Sequence, residues 1–168
     1  MSAFSSNDEV TLISGDGEEF KVSSKVAVLS ALAAGMISDD DQDEEKRIPL
    51  PNVRREILAK VLEFCNHYHE EKMTEFVKPL QNPDLFALVQ PYYAEFITSL
   101  DKDTLFNLTL AANYLDIKPL LELCCARIAS FIKNKTPEEI RVNLDIVNDF
   151  SPEEEQQVRL ENKWVEDV

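Results

Sequence analysis

At 168 residues and 44% hydrophobic composition, the chain has material for one real core, most simply one domain with an appendage. Its formal charge of −15 and pI near 4.5 argue against a phosphate-gripping surface of clustered Lys and Arg, and the same sign disfavours anionic membranes. No apolar run approaches the ~20 residues that span a bilayer, and Met1 to Asp8 lacks the cationic start and apolar core of a signal peptide. A soluble protein with no nucleic-acid or membrane partner, cytoplasmic and nuclear, is the expectation.

Val10-Thr-Leu-Ile-Ser and Glu18-Glu-Phe-Lys-Val alternate in polarity and flank Gly15-Asp16-Gly17, where glycine can take positive φ, so a β-hairpin is predicted. Ser23 or Ser24 then caps a helix through Val26, Leu29, Leu32 and Ala33, with Gly35 placed to end it. The run DDDQDEE at 39–45 has no apolar partner and repels itself, which reads as a solvated loop. Arg47-Ile-Pro-Leu-Pro suits a short edge strand. Asn52 can cap a longer helix whose stripe is Ile57, Leu58, Val61, Leu62 and Cys65, fraying from His67 to Glu71.

Pro79, Pro83 and Pro91 interrupt the next stretch, although Phe76, Leu85, Phe86 and Leu88 are too apolar for a free linker. A partly ordered insertion at 70–91 is expected. Asp101 caps a helix to about Leu115; Asp116 and Pro119 open another, with Lys133 and Lys135 suited to its C-terminal end. Two strands, a helix, a strand and then several helices imply an α/β domain with helices packed on a small sheet.

The tail contains two helix starts of one form, Thr136-Pro137-Glu138-Glu139 and Ser151-Pro152-Glu153-Glu154. Each is a capping box with proline at the first helical position and carboxylates at the positive helix end. Both helices are short, and isolated helices under ~12 to 15 residues are marginal in water. Something else must stabilise them.

Catalysis finds little support. Cys65, His67 and His69 are close, but residues two apart on a helix point to different sides and no second ligand cluster follows. With three glycines, the chain holds no GxxxxGK or GxGxxG pattern. The three cysteines, two of them adjacent, do not make a disulfide framework and read as reduced core thiols. No enzyme, cofactor or metal is expected.

Binding is better supported. In the helix near 102–115, Leu105, Leu108, Ala112 and Leu115 lie on one side, and Phe106, Leu110, Asn113 and Tyr114 on another. Either both faces are buried within the domain or the second meets a partner. Leu121, Cys125, Ile128 and Ile132 form a further stripe, and Ile146, Val147, Phe150 and Trp164 lack adequate local cover. These either fold back onto the domain or form a groove completed by another chain.

The wording LAANYLDIK, KTPEEIR, NDF before a Ser-Pro-Glu-Glu cap, and ENKW closely resembles the S-phase-kinase-associated adaptor family of SCF (Skp, cullin, F-box) ubiquitin ligases. LISGDGEEFKV, the acidic loop, IPLPNV and ILAKVLEFC extend the likeness over nearly the whole chain except about 70–91. The resemblance implies a BTB/POZ-type α/β domain over 1–135 that binds the cullin and a helical extension over 136–168 that clasps the F-box. By motif position, Asn113 and Tyr114 would face the cullin. Leu105, Leu121, Cys125, Ile128, Ile132, Ile146, Asn148, Asp149, Phe150 and Trp164 would line the F-box side. Pro137 stands where some protist relatives carry a hydroxylated, glycosylated proline. Two departures are visible: Pro91-Tyr92-Tyr93-Ala94-Glu95-Phe96 replaces a Trp-led acidic-aromatic motif, and Leu144 stands where Phe is common. The resemblance leaves open a homodimer of the free protein through the BTB-like surface. The rival readings are an elongin-C-like adaptor and an acidic chaperone for basic proteins.

Overall fold

The computed structural model describes residues 9–39 and 46–165, without the side chains of 38, 39 and 165. Most of the acidic run and the first eight residues lie outside the described residues. The chain divides into two compact units, Met1–Ser130 and Phe131–Val168.

In the first unit, β1 (Glu9–Ser14) and β2 (Glu19–Ser23) pair antiparallel, with Leu12 opposite Phe20. Gly17 takes φ 86° in the turn, as the glycine-rich stretch implies. Gly15 is needed for another reason: a Cβ there would stand 2.3 Å from the Pro51 carbonyl oxygen. β3 (Lys46–Leu50) joins β1 in parallel, giving the order β2-β1-β3. As the central strand, β1 is covered almost throughout, Thr11 and Ser14 included, so its alternation in polarity does not become an alternation in exposure.

The single helix expected after β2 is two. α1 (Ser24–Ala27) is capped by the Ser23 hydroxyl, and α2 (Ala31–Asp39) runs straight through Gly35. Buried Ser30 makes the break: its Oγ accepts from the Ala33 amide at 3.1 Å and donates to the Leu115 carbonyl at 2.6 Å. A hydroxyl offering such bonds competes with helix continuation and starts a new helix instead.

α3 (Arg55–Glu70) is not capped by Asn52. Its first amide, that of Arg55, donates to Asp16 Oδ1 in the hairpin turn at 2.8 Å. Leu58, Val61, Phe64 and Cys65 are buried, whereas Ile57 and Leu62 are half-buried. The helix does not fray at His67, because that ring stacks on Tyr92 with centroids 3.5 Å apart.

Beyond α3, Met73, Leu85 and Val89 are buried, and Asp84 caps a 3₁₀ turn over Leu85–Ala87. Pro91 starts α4 (Pro91–Thr98) rather than breaking a helix, since its missing N–H is no loss at the first helical position. Tyr93 and Phe96 of α4 join Phe64 and Tyr68 of α3 in an aromatic cluster. α5 (Lys102–Tyr114) begins at Asp101, which accepts from the Thr104 amide, and α6 (Lys118–Ser130) follows a left-handed Asp116. α6 ends at Ser130, so Lys133 and Lys135 fall in the turn after it. Leu105, Leu108, Leu120 and Leu123 complete the core with Leu58 and Ile97.

In the second unit, α7 (Pro137–Leu144) and α8 (Pro152–Glu161) both begin with complete capping boxes. Thr136 Oγ1 accepts from the Glu139 amide at 3.2 Å, and the Thr136 amide donates to the Glu139 carboxylate at 2.9 Å. Left-handed Asp145, at φ 56°, ends α7, and a short 3₁₀ turn, Lys163–Val165, follows α8.

Candidate protein-binding surfaces

On α5 the two expected faces separate cleanly. Leu105, Leu108, Ala112 and Leu115 are buried, whereas Leu110 is 68% exposed and Phe106 is also exposed. Asn113 is exposed and Tyr114 half-buried on the outward side. Next to them, Asn107 and Leu110 line a hollow of about 530 Å³ with Asn52, Arg54 and Ile57 from the approach to α3 and its first turn. This face presents apolar area within hydrogen-bonding groups, the composition of a protein contact.

On α6, Leu121 and Ile128 are half-buried and Cys125 is exposed; Leu120, Leu123 and Cys124 are buried on the opposite side. Burial drives the Cys65 and Cys124 thiols up to about 12, consistent with core thiols. Cys125 departs from the expectation of three core thiols because it stands on the outer stripe. Leu105 does not reach that stripe: at 1% exposure it belongs to the core. Its exposed neighbour on α5 is Phe106, one residue and about 100° away on the helix.

The second unit has no interior. No described residue from Phe131 to Trp164 is buried. Ile132, Ile146, Asn148, Asp149 and Phe150 are exposed, and Trp164 is 68% exposed. The polar side chains are the organised part. Arg159 pairs with Glu138 of α7 and lies 3.1 Å from Glu155 of its own helix, and Arg141 lies 3.5 Å from Glu155. Asn143 Nδ2 donates to the Phe131 carbonyl at 3.0 Å, and the Phe150 amide donates to Asn148 Oδ1 at 3.2 Å. These bonds hold α7 and α8 around a hollow of about 740 Å³ lined by Pro137, Arg141, Phe150, Val158 and Asn162. A second hollow, of about 680 Å³, has Val142, Ile146 and Val147 on its rim.

Charge follows the same geometry. Glu138 is held below the usual glutamate range, first by its own backbone amide and then by Arg159. Glu155 is lowered by the Arg159 hydrogen bond, and Arg159 is raised by Glu155 and Glu138. The site readings from sequence did not include this ion-pair cluster. Its visible signal was the Glu155–Arg159 spacing of four along α8. Among the described residues no group of three His, Cys, Asp or Glu is arranged to hold a metal, and no helix is long and apolar enough to cross a membrane.

The model of the Skp1 family's tetramerisation domain matches residues 8–70, and that of its dimerisation domain matches residues 118–165. The S-phase kinase-associated protein 1 homolog of Tetrahymena thermophila is 48% identical over 160 residues, covering 95% of each chain. The chain belongs to the Skp1 family. Another relative, SCF ubiquitin ligase complex protein SKP1a of Dictyostelium discoideum, is 44% identical over 94% of this chain and 96% of its own. The E3 ubiquitin ligase complex SCF subunit sconC of Arthroderma otae is 39% identical over 98% and 99%. The small sheet with helices packed on it is accordingly the BTB/POZ-like fold of the Skp1 family, followed by the family's C-terminal helices.

Proposed function

We propose that this Skp1-family chain is the non-catalytic adaptor of an SCF-type ubiquitin ligase, joining F-box substrate receptors to a cullin in the cytoplasm and nucleus. The observation that carries this reading is the contrast between the two units. The first has a closed core, whereas the second has two firmly started helices and not one buried described residue from Phe131 to Trp164. Burying an apolar side chain such as Ile146 or Phe150 is worth about 1.5–3 kcal/mol, and within the chain that stabilisation is missing. The F-box helices would supply it, with Phe150 and Trp164 as anchors; in the first unit, the stripe Leu121, Cys125 and Ile128 is the part assigned to the F-box. Asn113 and Tyr114, with exposed Phe106 and Leu110 beside them, would meet the cullin.

The test is a separation of functions. Phe150→Ala with Trp164→Ala should weaken F-box capture by roughly 30-fold or more for each anchor removed, since interface anchors cost about 2 kcal/mol or more each, and should spare the cullin. Asn113→Lys with Tyr114→Lys should do the reverse. Two equally harmless pairs in quantitative pull-downs would remove the assignment. If the chain were instead an acidic chaperone, all of its binding would collapse together as salt rises.

A further inference from the structure

Between α3 and α4 the chain presents an apolar surface of its own. The segment is anchored at both ends: the Gln90 side chain donates to the Lys72 carbonyl at 2.8 Å and accepts from the Thr74 amide at 2.9 Å, and the Tyr93 hydroxyl donates to the Glu71 carbonyl. Leu85 and Val89 are buried beneath it, and the 3₁₀ turn packs on α4 and α6. Despite this anchoring, Val77 is 73% exposed and Phe86 53% exposed, with Leu80 half-buried. An anchored segment that leaves Val77 and Phe86 largely in water offers a surface rather than a loop.

Its position is set by α6. Lys78 pairs with Glu122, which lies one residue from Leu121 and three from Cys125, on the flank of the exposed α6 stripe. The segment therefore continues that stripe sideways. Its cations are already engaged, Lys78 with Glu122 and Lys72 over the Tyr68 ring at 4.2 Å. Glu75 and Asp84 remain exposed in the same segment. A second copy of this chain, carrying −15 itself, is a poor occupant of an acid-rimmed patch.

We propose that residues 74–89 form a second docking surface for the F-box protein. It would receive a short stretch adjoining the F-box, apolar on one side and flanked by Lys or Arg, as that chain passes α6. The idea rests on the adaptor reading above and deepens it: the C-terminal helices take the F-box itself, and this surface discriminates among its bearers. Complementary charge at the rim contributes selectivity and association rate more than affinity.

The experiment titrates the full chain with two polypeptides, an F-box alone and the same F-box with its native flanking residues. Val77→Ser with Phe86→Ser should weaken the longer polypeptide about tenfold or more and leave the shorter within about twofold. Val77→Asn, at the more exposed position, should give the same pattern in smaller measure. It should also leave the thermal midpoint unchanged. Equal affinity of parent and both variants for the longer polypeptide would overturn the proposal. So would a variant whose sedimentation changes while its F-box binding does not, because the occupant would then be a second copy. Phe150→Ala with Trp164→Ala separates the two readings. If that pair is harmless the adaptor reading falls; if it weakens both polypeptides while the Val77 and Phe86 variants do nothing, only this surface falls.

Discussion

Arg159 on α8 pairs with Glu138 on α7, 21 residues earlier in the chain, and the same guanidinium also reaches Glu155. α7 and α8 share no buried side chain, so these ion pairs, with the Arg141–Glu155 pair and the Asn148–Glu155 hydrogen bond, set the distance between the helices. The polar cluster is thus the frame of a groove lined in part by Phe150 and Val158.

Arg159→Met should accordingly loosen the frame while keeping the apolar lining of the hollow, Phe150 and Val158, in the chain. Amide exchange across α8 should speed up, the exchange of α3 and α5 should not change, and F-box affinity should fall by a few-fold through a slower association. Because exposed pairs are screened, raising the salt should reproduce part of the effect in the parent protein. An unchanged exchange pattern in α8 would show that the pairs only decorate it.

Acid should act on the same element. Glu154 is lowered by the Ser151 amide, Glu155 by Arg159, and Glu138 by its own backbone amide and then Arg159. A carboxylate lowered in the folded state stabilises that state above its unfolded value, here the ordinary glutamate 4.5, and loses the contribution as pH falls through the lowered value. The extension should therefore hold constant order from pH 7 to about 4.5 and loosen below it. Amide resonances of residues 137–161 should broaden or shift while those of α3 and α5 stay in place. A transition in the extension above pH 5 would point to groups other than these.

Much of this molecule was legible locally, and what was not legible was decided at a distance. The hairpin, α5 and both capping boxes rest on residues within a few positions of one another, and each is found where the sequence puts it. The cap of α3 is not, because Asp16 is 39 residues from Arg55. The break between α1 and α2 depends on Ser30 reaching the Leu115 carbonyl, 85 residues on. Pro91 reads as a breaker until it is placed at the first position of α4. Among the surface residues, periodicity sorted α5 into two faces correctly, but carrying Leu105 over by motif position alone put a core residue on the partner side. The Arg159 cluster needed the fold of the extension to bring Glu138 near.

The aromatic cluster that replaces the Trp-led motif can be tested through Tyr93. Its hydroxyl donates to the Glu71 carbonyl at the end of α3, and burial first, then the neighbouring Glu71 charge, holds the phenol protonated. Tyr93→Phe should cost about 1 kcal/mol, the net worth of one hydrogen bond. Phe64→Ala, by emptying a fully buried ring site between Tyr68, Tyr93 and Phe96, should cost about 3–5 kcal/mol. Urea unfolding followed by tyrosine circular dichroism suits both variants, because all four tyrosines lie in the first unit and the one Trp in the second. If Phe64→Ala cost as little as Tyr93→Phe, the cluster would not be the core of this unit.

The three cysteines give a direct readout of the α6 surface. Cys65 and Cys124 are buried and their thiols are pushed up to about 12 by burial, so at pH 7.5 they hold almost no thiolate, the reactive form. Cys125 is exposed on the stripe with Leu121 and Ile128. A maleimide added to the native protein should therefore modify Cys125 alone, and the other two only once urea opens the core. F-box polypeptide bound beforehand should slow that modification, and a cullin fragment should not, because the cullin is assigned to the Asn113 and Tyr114 face of α5. Labelling of Cys125 at the same rate with and without the F-box would mean that α6 is not covered by it, even if the C-terminal helices are.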